Sequence, residues 1–175
     1  MRRSRRLSAL VLLGALACAQ SPPDRDDFDS KPWEDQKALL PPYPKQENLV
    51  RIYVSSATTF DFFVDPASVS VGKDGVVRYT LIARSPSAAM NVSYEGIRCQ
   101  TYERKLYALG RSDGTWSKAR EPQWTPIGNN QVNRQHAVLA GDFFCSGSSR
   151  VLTTDDAVQA LERGNQPRKA VPWSN

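Results

Sequence analysis

From Val69 to Arg84 the chain reads VSVGKDGVVRYTLIAR, two β-branched runs joined by Gly72-Lys73-Asp74-Gly75. Glycines flanking a polar pair between such runs favour an antiparallel hairpin. The second arm alternates Val77, Tyr79, Leu81 and Ala83 against Val76, Arg78, Thr80 and Ile82. A period of two places these sets on opposite faces of a sheet. The same period holds upstream in LVRIYVSS, where Val50, Ile52 and Val54 share a face. FDFFVDP is expected as a second short strand, stopped by Asp65-Pro66. NVSYEGIRCQTYERKLYALGR supplies one long strand or two joined at Gly96, and Ser112-Asp113-Gly114 turns the chain into TWSKAR. The pattern amounts to about five to seven antiparallel strands in a meander.

The C-terminal third changes to helical spacing. In NNQVNRQHAVLAGDFFC, Val132, His136, Leu139 and Phe143 fall on one helical face, with Asn130 as cap and Gly141 weakening the last turn. A second helix is bounded by Thr153-Thr154-Asp155-Asp156, a capping box, and by Gly164 at its C-terminus. Val158 and Leu161 form its apolar stripe. The fold class expected is α+β: a meandering antiparallel sheet with two C-terminal helices packed on it, as one domain over residues 48–164. Residues 20–47 read as a Pro-rich extended leader, docked through Trp33, Leu39, Leu40 and Tyr43, with a short helix from Trp33 to Leu40 allowed by Pro32 at its first turn. Residues 165–175 read as a C-terminal tail.

The first nineteen residues read as a signal peptide. Arg2, Arg3, Arg5 and Arg6 precede a short apolar run from Leu7 to Ala17, with small residues around a cleavage point. A membrane span needs about 20 apolar residues, more than this run supplies. Two processing routes compete: cleavage after Ala19, leaving Gln20 as the N-terminus, or a degenerate lipobox Ala15-Leu16-Ala17-Cys18 with Cys18 lipidated. The first predicts a periplasmic or secreted protein of a Gram-negative cell. The second predicts an outer-membrane lipoprotein, and only then is a membrane a partner. The net charge of +5 falls to +1 once those four arginines are removed, since residues 1–19 hold no acid. Without a basic stripe, nucleic acid is not expected as a partner.

Cysteine use agrees with export. With Cys18 in the processed segment, Cys99 and Cys145 remain as a pair, read as a disulfide in an oxidising compartment, the alternative being two buried thiols.

No catalytic residue, cofactor or metal ligand is assigned. The chain has no G-x-S-x-G elbow and no phosphate-cradling glycine loop. His136, the only histidine, has no neighbouring nucleophile motif and reads as a partly buried helix residue. Asp61 and Asp65 share a strand face, but the second precedes a proline and reads as a turn former. Asn91-Val92-Ser93 matches a glycosylation triplet that an exported bacterial protein does not use. Trp124, in the Pro-flanked loop EPQWTPIG, is the candidate contact residue. The function expected is therefore a non-catalytic binding or structural module whose partner is an envelope protein, peptide or glycan. The alternative is a small periplasmic enzyme without a recognisable motif.

PWEDQKALLPPYP, FFVDPASVSVGKDGVVRYTLIARSPSAAMNVSYEGIRCQTYERKLYA, WTPI and HAVLAGDFFC together resemble the cryptic neisserial protein-like family of exported proteins in Gram-negative bacteria. The resemblance spans most of the chain after the leader. It implies export and a single domain, and it carries no catalytic motif. VDPASV, DGVVRY and GIRC also resemble the exported surface-adhesin E group, which implies a small β-rich envelope protein.

Overall fold

The hairpin at Gly72–Gly75 lies in the middle of the sheet. In the computed structural model, which describes residues 32–128, 133–147, 150–151 and 153–164, it joins β2 (Asp61–Val71) to β3 (Val76–Arg84). Gly75 sits at φ 73°, a conformation that glycine adopts without a Cβ penalty. The chain divides into Met1–Pro32 and Trp33–Asn175, and the architecture described is that of the second unit. Around the hairpin stand β1 (Val50–Ile52), β4 (Met90–Arg98), β5 (Glu103–Gly110), β6 (Trp116–Lys118) and β7 (Thr125–Pro126). They form a seven-stranded antiparallel sheet in the order β1-β2-β3-β4-β5-β6, with β7 pairing the start of β5 and β6 its end. The signal segment with Cys18, the Asn130 cap, Val132 and the 165–175 tail lie outside the described residues.

Two strand boundaries differ from expectation. Asp65-Pro66 does not stop β2; the strand runs on through a register shift between Asp65 and Ser70. Proline has no N–H to give the ladder, and the side chain of Ser68 takes over. Its hydroxyl donates to Asp65 O at 2.7 Å and accepts from Thr80 N–H at 2.8 Å, so the bulge leaves that amide satisfied. The break between β4 and β5 falls at residues 99–102, where Tyr102 has φ 54°, and not at Gly96. Gly96 lies within β4 because the Tyr107 ring crosses it; a Cβ there would lie 2.8 Å from Tyr107 Cε2.

The helices cover one face of the sheet. α1 (Arg134–Val138) does not end at Gly141; it widens into a π-helical turn over Leu139–Phe144. Leu139, Ala140, Phe143 and Phe144 are all buried, a four-residue set that the wider turn brings toward the sheet together. Burying each phenylalanine stabilises by about 2–3 kcal/mol. Cys145 follows, and its disulfide to Cys99 closes a sequence separation of 46. Beyond it β8 (Cys145–Ser146) pairs with β9 (Arg150–Val151).

α2 (Thr154–Arg163) starts at the cap expected, Thr153 Oγ1 accepting from Asp156 N–H at 3.2 Å, and ends at Gly164 with φ 69°. Thr154 Oγ1 accepts from Val71 N–H at 3.0 Å, tying the helix to the end of β2. Ala157 and Leu161 are buried and Val158 partly so, packing into a core with Ile52, Val64, Tyr79 and Ile97.

The opposite face is covered by the leader. Residues 33–45 form no helix; they cross the sheet as an extended strap that ends in a 3-10 turn, Gln46–Asn48. Pro41, Pro42 and Pro44 deny the strap backbone donors, so side chains fasten it. Trp116 Nε1 donates to Pro41 O at 2.9 Å, and Tyr43 stacks on Trp116 at 5.4 Å. Leu40 packs on Tyr94, Tyr107 and Ala108, whereas Leu39 points outward at 79 % exposure. Among the described residues no helix is long and apolar enough to cross a membrane.

Candidate functional site

β4 carries a carboxylate into the core. Strand alternation places Ser93, Glu95 and Ile97 on the helix-covered face, and the register sets Glu95 opposite Tyr79. His136, on α1 above, brings Nε2 within 2.7 Å of Glu95 Oε2, and Tyr79 O–H donates to the same oxygen at 3.1 Å. Ser93 O–H donates to Oε1 at 2.7 Å. Burial raises the carboxyl's pKa, but the hydrogen bond and charge of His136, aided by Ser93 and Arg104, outweigh it and hold Glu95 below its ordinary value. An ionised carboxylate only accepts, so Nε2 carries the proton. His136 Nδ1 is buried without a hydrogen-bond partner among the described residues.

Burial, together with the charge and hydrogen bond of Glu95, pushes the Tyr79 hydroxyl well above its ordinary pKa. The His136 and Glu95 side chains are only 4 % and 7 % exposed, so the pair lies within the core. Its chemistry is cohesive: it pairs a buried charge that would otherwise be costly.

A second polar cluster fastens the strap. Asp35 Oδ1 accepts from Arg78 at 2.9 Å and from Tyr107 O–H at 3.2 Å, while its Oδ2 accepts from Lys105 Nζ at 2.7 Å. Asp74 accepts from Arg78 at 2.6 Å and from Gln36 N–H at 2.8 Å. Burial works against these charges, yet the hydrogen bonds from Arg78, Gln36 and Val76 leave Asp74 below the usual carboxylate range. Trp33 donates from Nε1 to Asp74 O at 2.8 Å and lies under the Arg98 guanidinium, 3.8 Å from its ring centroid.

A cleft of about 310 Å³ lies between the β1–β2 loop and the start of α1. Phe60 and Phe62 form its apolar wall, with rings 6.3 Å apart, and Phe60 is 39 % exposed. Thr58 and Ser55 bring hydroxyls, and Arg134 brings a guanidinium whose Nε is buried without a hydrogen bond. The cleft thus combines an apolar wall with hydroxyls and one guanidinium.

The residues singled out from the sequence fall in separate places. Cys99 and Cys145 are joined. Trp124 is half-buried, edge-on to Trp33 at 5.8 Å with Lys105 Nζ 5.6 Å from its ring centroid, so it seals one end of the strap. Asp61 is bound by Arg51 at 2.6 Å and by Arg84 at 3.0 Å, and those hydrogen bonds lower its pKa. Asp65 lies buried in the β2 bulge, where desolvation raises its pKa against the opposing Ala67 N–H. The two carboxylates are not brought to one site.

Glu95, Arg78 with Asp35, and Arg134 were missed. An acid at the parity of Ile97 in an otherwise alternating strand is a signal for a buried partner, and His136 on an apolar helix face is its complement. The cleft left no comparable signal, because its walls are about 75 residues apart.

Comparison with known proteins adds one relationship. A family model described as the CNP1-like family matches residues 28–162, which includes the strap, the sheet and nearly all of α2. No curated protein and no solved structure matches the chain.

Proposed function

The chain belongs to the CNP1-like family, and from that premise we propose that it is an exported, non-catalytic binding or structural module of the cell envelope. The observation that carries the reading is the division of labour among its polar groups. The acid–imidazole pair and the strap cluster spend their charges inside the protein, with His136, Glu95 and Arg78 side chains between 4 % and 7 % exposed. Reactive groups held in that way brace a scaffold rather than turn over a substrate. The cleft, by contrast, is open and lined by donors and apolar surface. The arginine-rich start, the short apolar run and the remaining cysteine pair support export. The likeness of VDPASV, DGVVRY and GIRC to surface-adhesin E proteins fits a small β-rich envelope protein.

Expression of the full chain in a Gram-negative host, followed by fractionation and intact mass, tests placement. The expected product is periplasmic, begins at Gln20 and gains about two mass units on reduction. A lipid-modified Cys18 would move the module to the outer membrane, and a cytoplasmic, uncleaved chain would overturn export. Peptide and glycan arrays probed with the exported protein test the activity. Saturable recovery of an unaltered ligand is expected; recovery of a chemically changed one would replace the module with an enzyme.

A further inference from the structure

The cleft has one cation, no acid and two aromatic rings among its lining residues, and this composition selects a ligand. Resting on the binding-module reading, we propose that the cleft holds a carboxylate carried on a compact apolar group, with Arg134 as the anion's partner and Phe60 and Phe62 as the wall. Three observations converge. Arg134 lines the cleft and makes no ion pair or hydrogen bond among the described residues, so its guanidinium has no acceptor there.

Ser55 Oγ accepts from Ala57 N–H and Thr58 Oγ1 accepts from Phe60 N–H, each at 3.3 Å. Each of these hydroxyls accepts one bond within the loop and donates to no described residue, so its hydrogen is available to a ligand. The lining residues supply a guanidinium and hydroxyl donors and no carboxylate, which matches an anion. A single guanidinium suits a monoanion better than a phosphate dianion, and Phe60 with Val54 suits an apolar body next to it. At about 310 Å³ the cleft lies at the small end of ligand pockets and accommodates one side chain with its terminal group. That chemistry is shared by a free small carboxylic acid and by the C-terminus of a peptide ending in an apolar residue.

The test titrates the exported protein, followed by heteronuclear NMR, with N-acetylphenylalanine, its C-terminal amide, Gly-Gly-Phe and Gly-Gly-Phe amide. Saturable shifts centred on Thr58–Phe62 are expected with the acids, with the amides weaker by about tenfold or more for loss of a charge-assisted hydrogen bond. Tighter binding of N-acetylphenylalanine identifies a free acid as the source, and tighter binding of Gly-Gly-Phe identifies a peptide terminus. Arg134→Gln, checked for an unchanged melting curve, is expected to abolish the preference for acid over amide. Phe60→Ala is expected to weaken both alike. No saturation by either acid, or equal affinity for acid and amide in the native protein, overturns the site without recourse to any variant. An array ligand whose shifts miss Thr58–Phe62 also overturns the site while leaving the module reading intact. Conversion of a bound probe to product sinks the module reading and leaves the site.

Discussion

Two single residues decide how the core tolerates charge. His136→Ala would leave the Glu95 carboxylate buried without its counterpart, at a cost of about 3–5 kcal/mol in urea unfolding. Glu95→Gln in the same background should recover part of that loss, because the amide carries no charge to strand. The pH dependence follows from the same pair. Folded Glu95 releases its proton more readily than the unfolded residue does, so its contribution is fully present above the ordinary glutamate value of about 4.3. Stability is then expected to fall as pH drops through the folded value, and Glu95→Gln should flatten that acid limb in melts at stepped pH. An unchanged acid limb would assign it to other carboxylates. Ser68 offers a neutral counterpart. Its hydroxyl is the acceptor for the Thr80 amide inside the β2 bulge, so Ser68→Ala should cost about 1–3 kcal/mol. Hydrogen exchange at Thr80 reads the effect directly, and unchanged protection there would mean another acceptor had taken over.

At the scale of elements, the disulfide is the join between sheet and helix layer. Cys99 lies just past β4 and Cys145 just past the π-helical turn, with Cα atoms 5.7 Å apart. Closing a 46-residue separation stabilises by about 4 kcal/mol in the chain-entropy model. Unfolding with and without reductant is therefore expected to separate by that amount. A difference below about 1 kcal/mol would show that the reduced, unfolded chain keeps the two segments together. Phe143 and Phe144, which end the π turn, are both buried directly before the join.

At the scale of the whole molecule, the sheet is covered by helices on one face and by the strap on the other. Asp35 is the strap's central fastening, bonded to Arg78, Lys105 and Tyr107. Asp35→Asn would keep the shape and remove the charge. Arg78 would retain Asp74, whereas Lys105 would lose its acid, so a loss of about 1–3 kcal/mol is expected. The more telling readout is limited proteolysis, with cleavage within residues 33–45 accelerating before any in the sheet. Cleavage at the native rate would show that Trp33 and Trp116 hold the strap unaided.

The sequence by itself determined the features whose physics is short-range. Period-two alternation and the glycines at Gly75 and Gly114 specify the hairpins, because positive φ and side-chain parity are properties of a few adjacent residues. Thr153 and Gly164 bounded α2 for the same reason. Cysteine arithmetic, with the expectation of export, pointed to the Cys99–Cys145 pair. Tertiary structure decided everything that depends on a distant partner. The segment from Trp33 to Leu40 is a strap rather than a helix because Trp33 and Asp35 find bonds 41 and 70 residues away. β2 survives Asp65-Pro66 because Thr80, on the neighbouring strand, meets Ser68. His136 became a core residue with a purpose only when β4 brought Glu95 beneath it, 41 residues distant. Desolvation must be relieved by whichever groups the fold assembles, and local pattern does not say which those are.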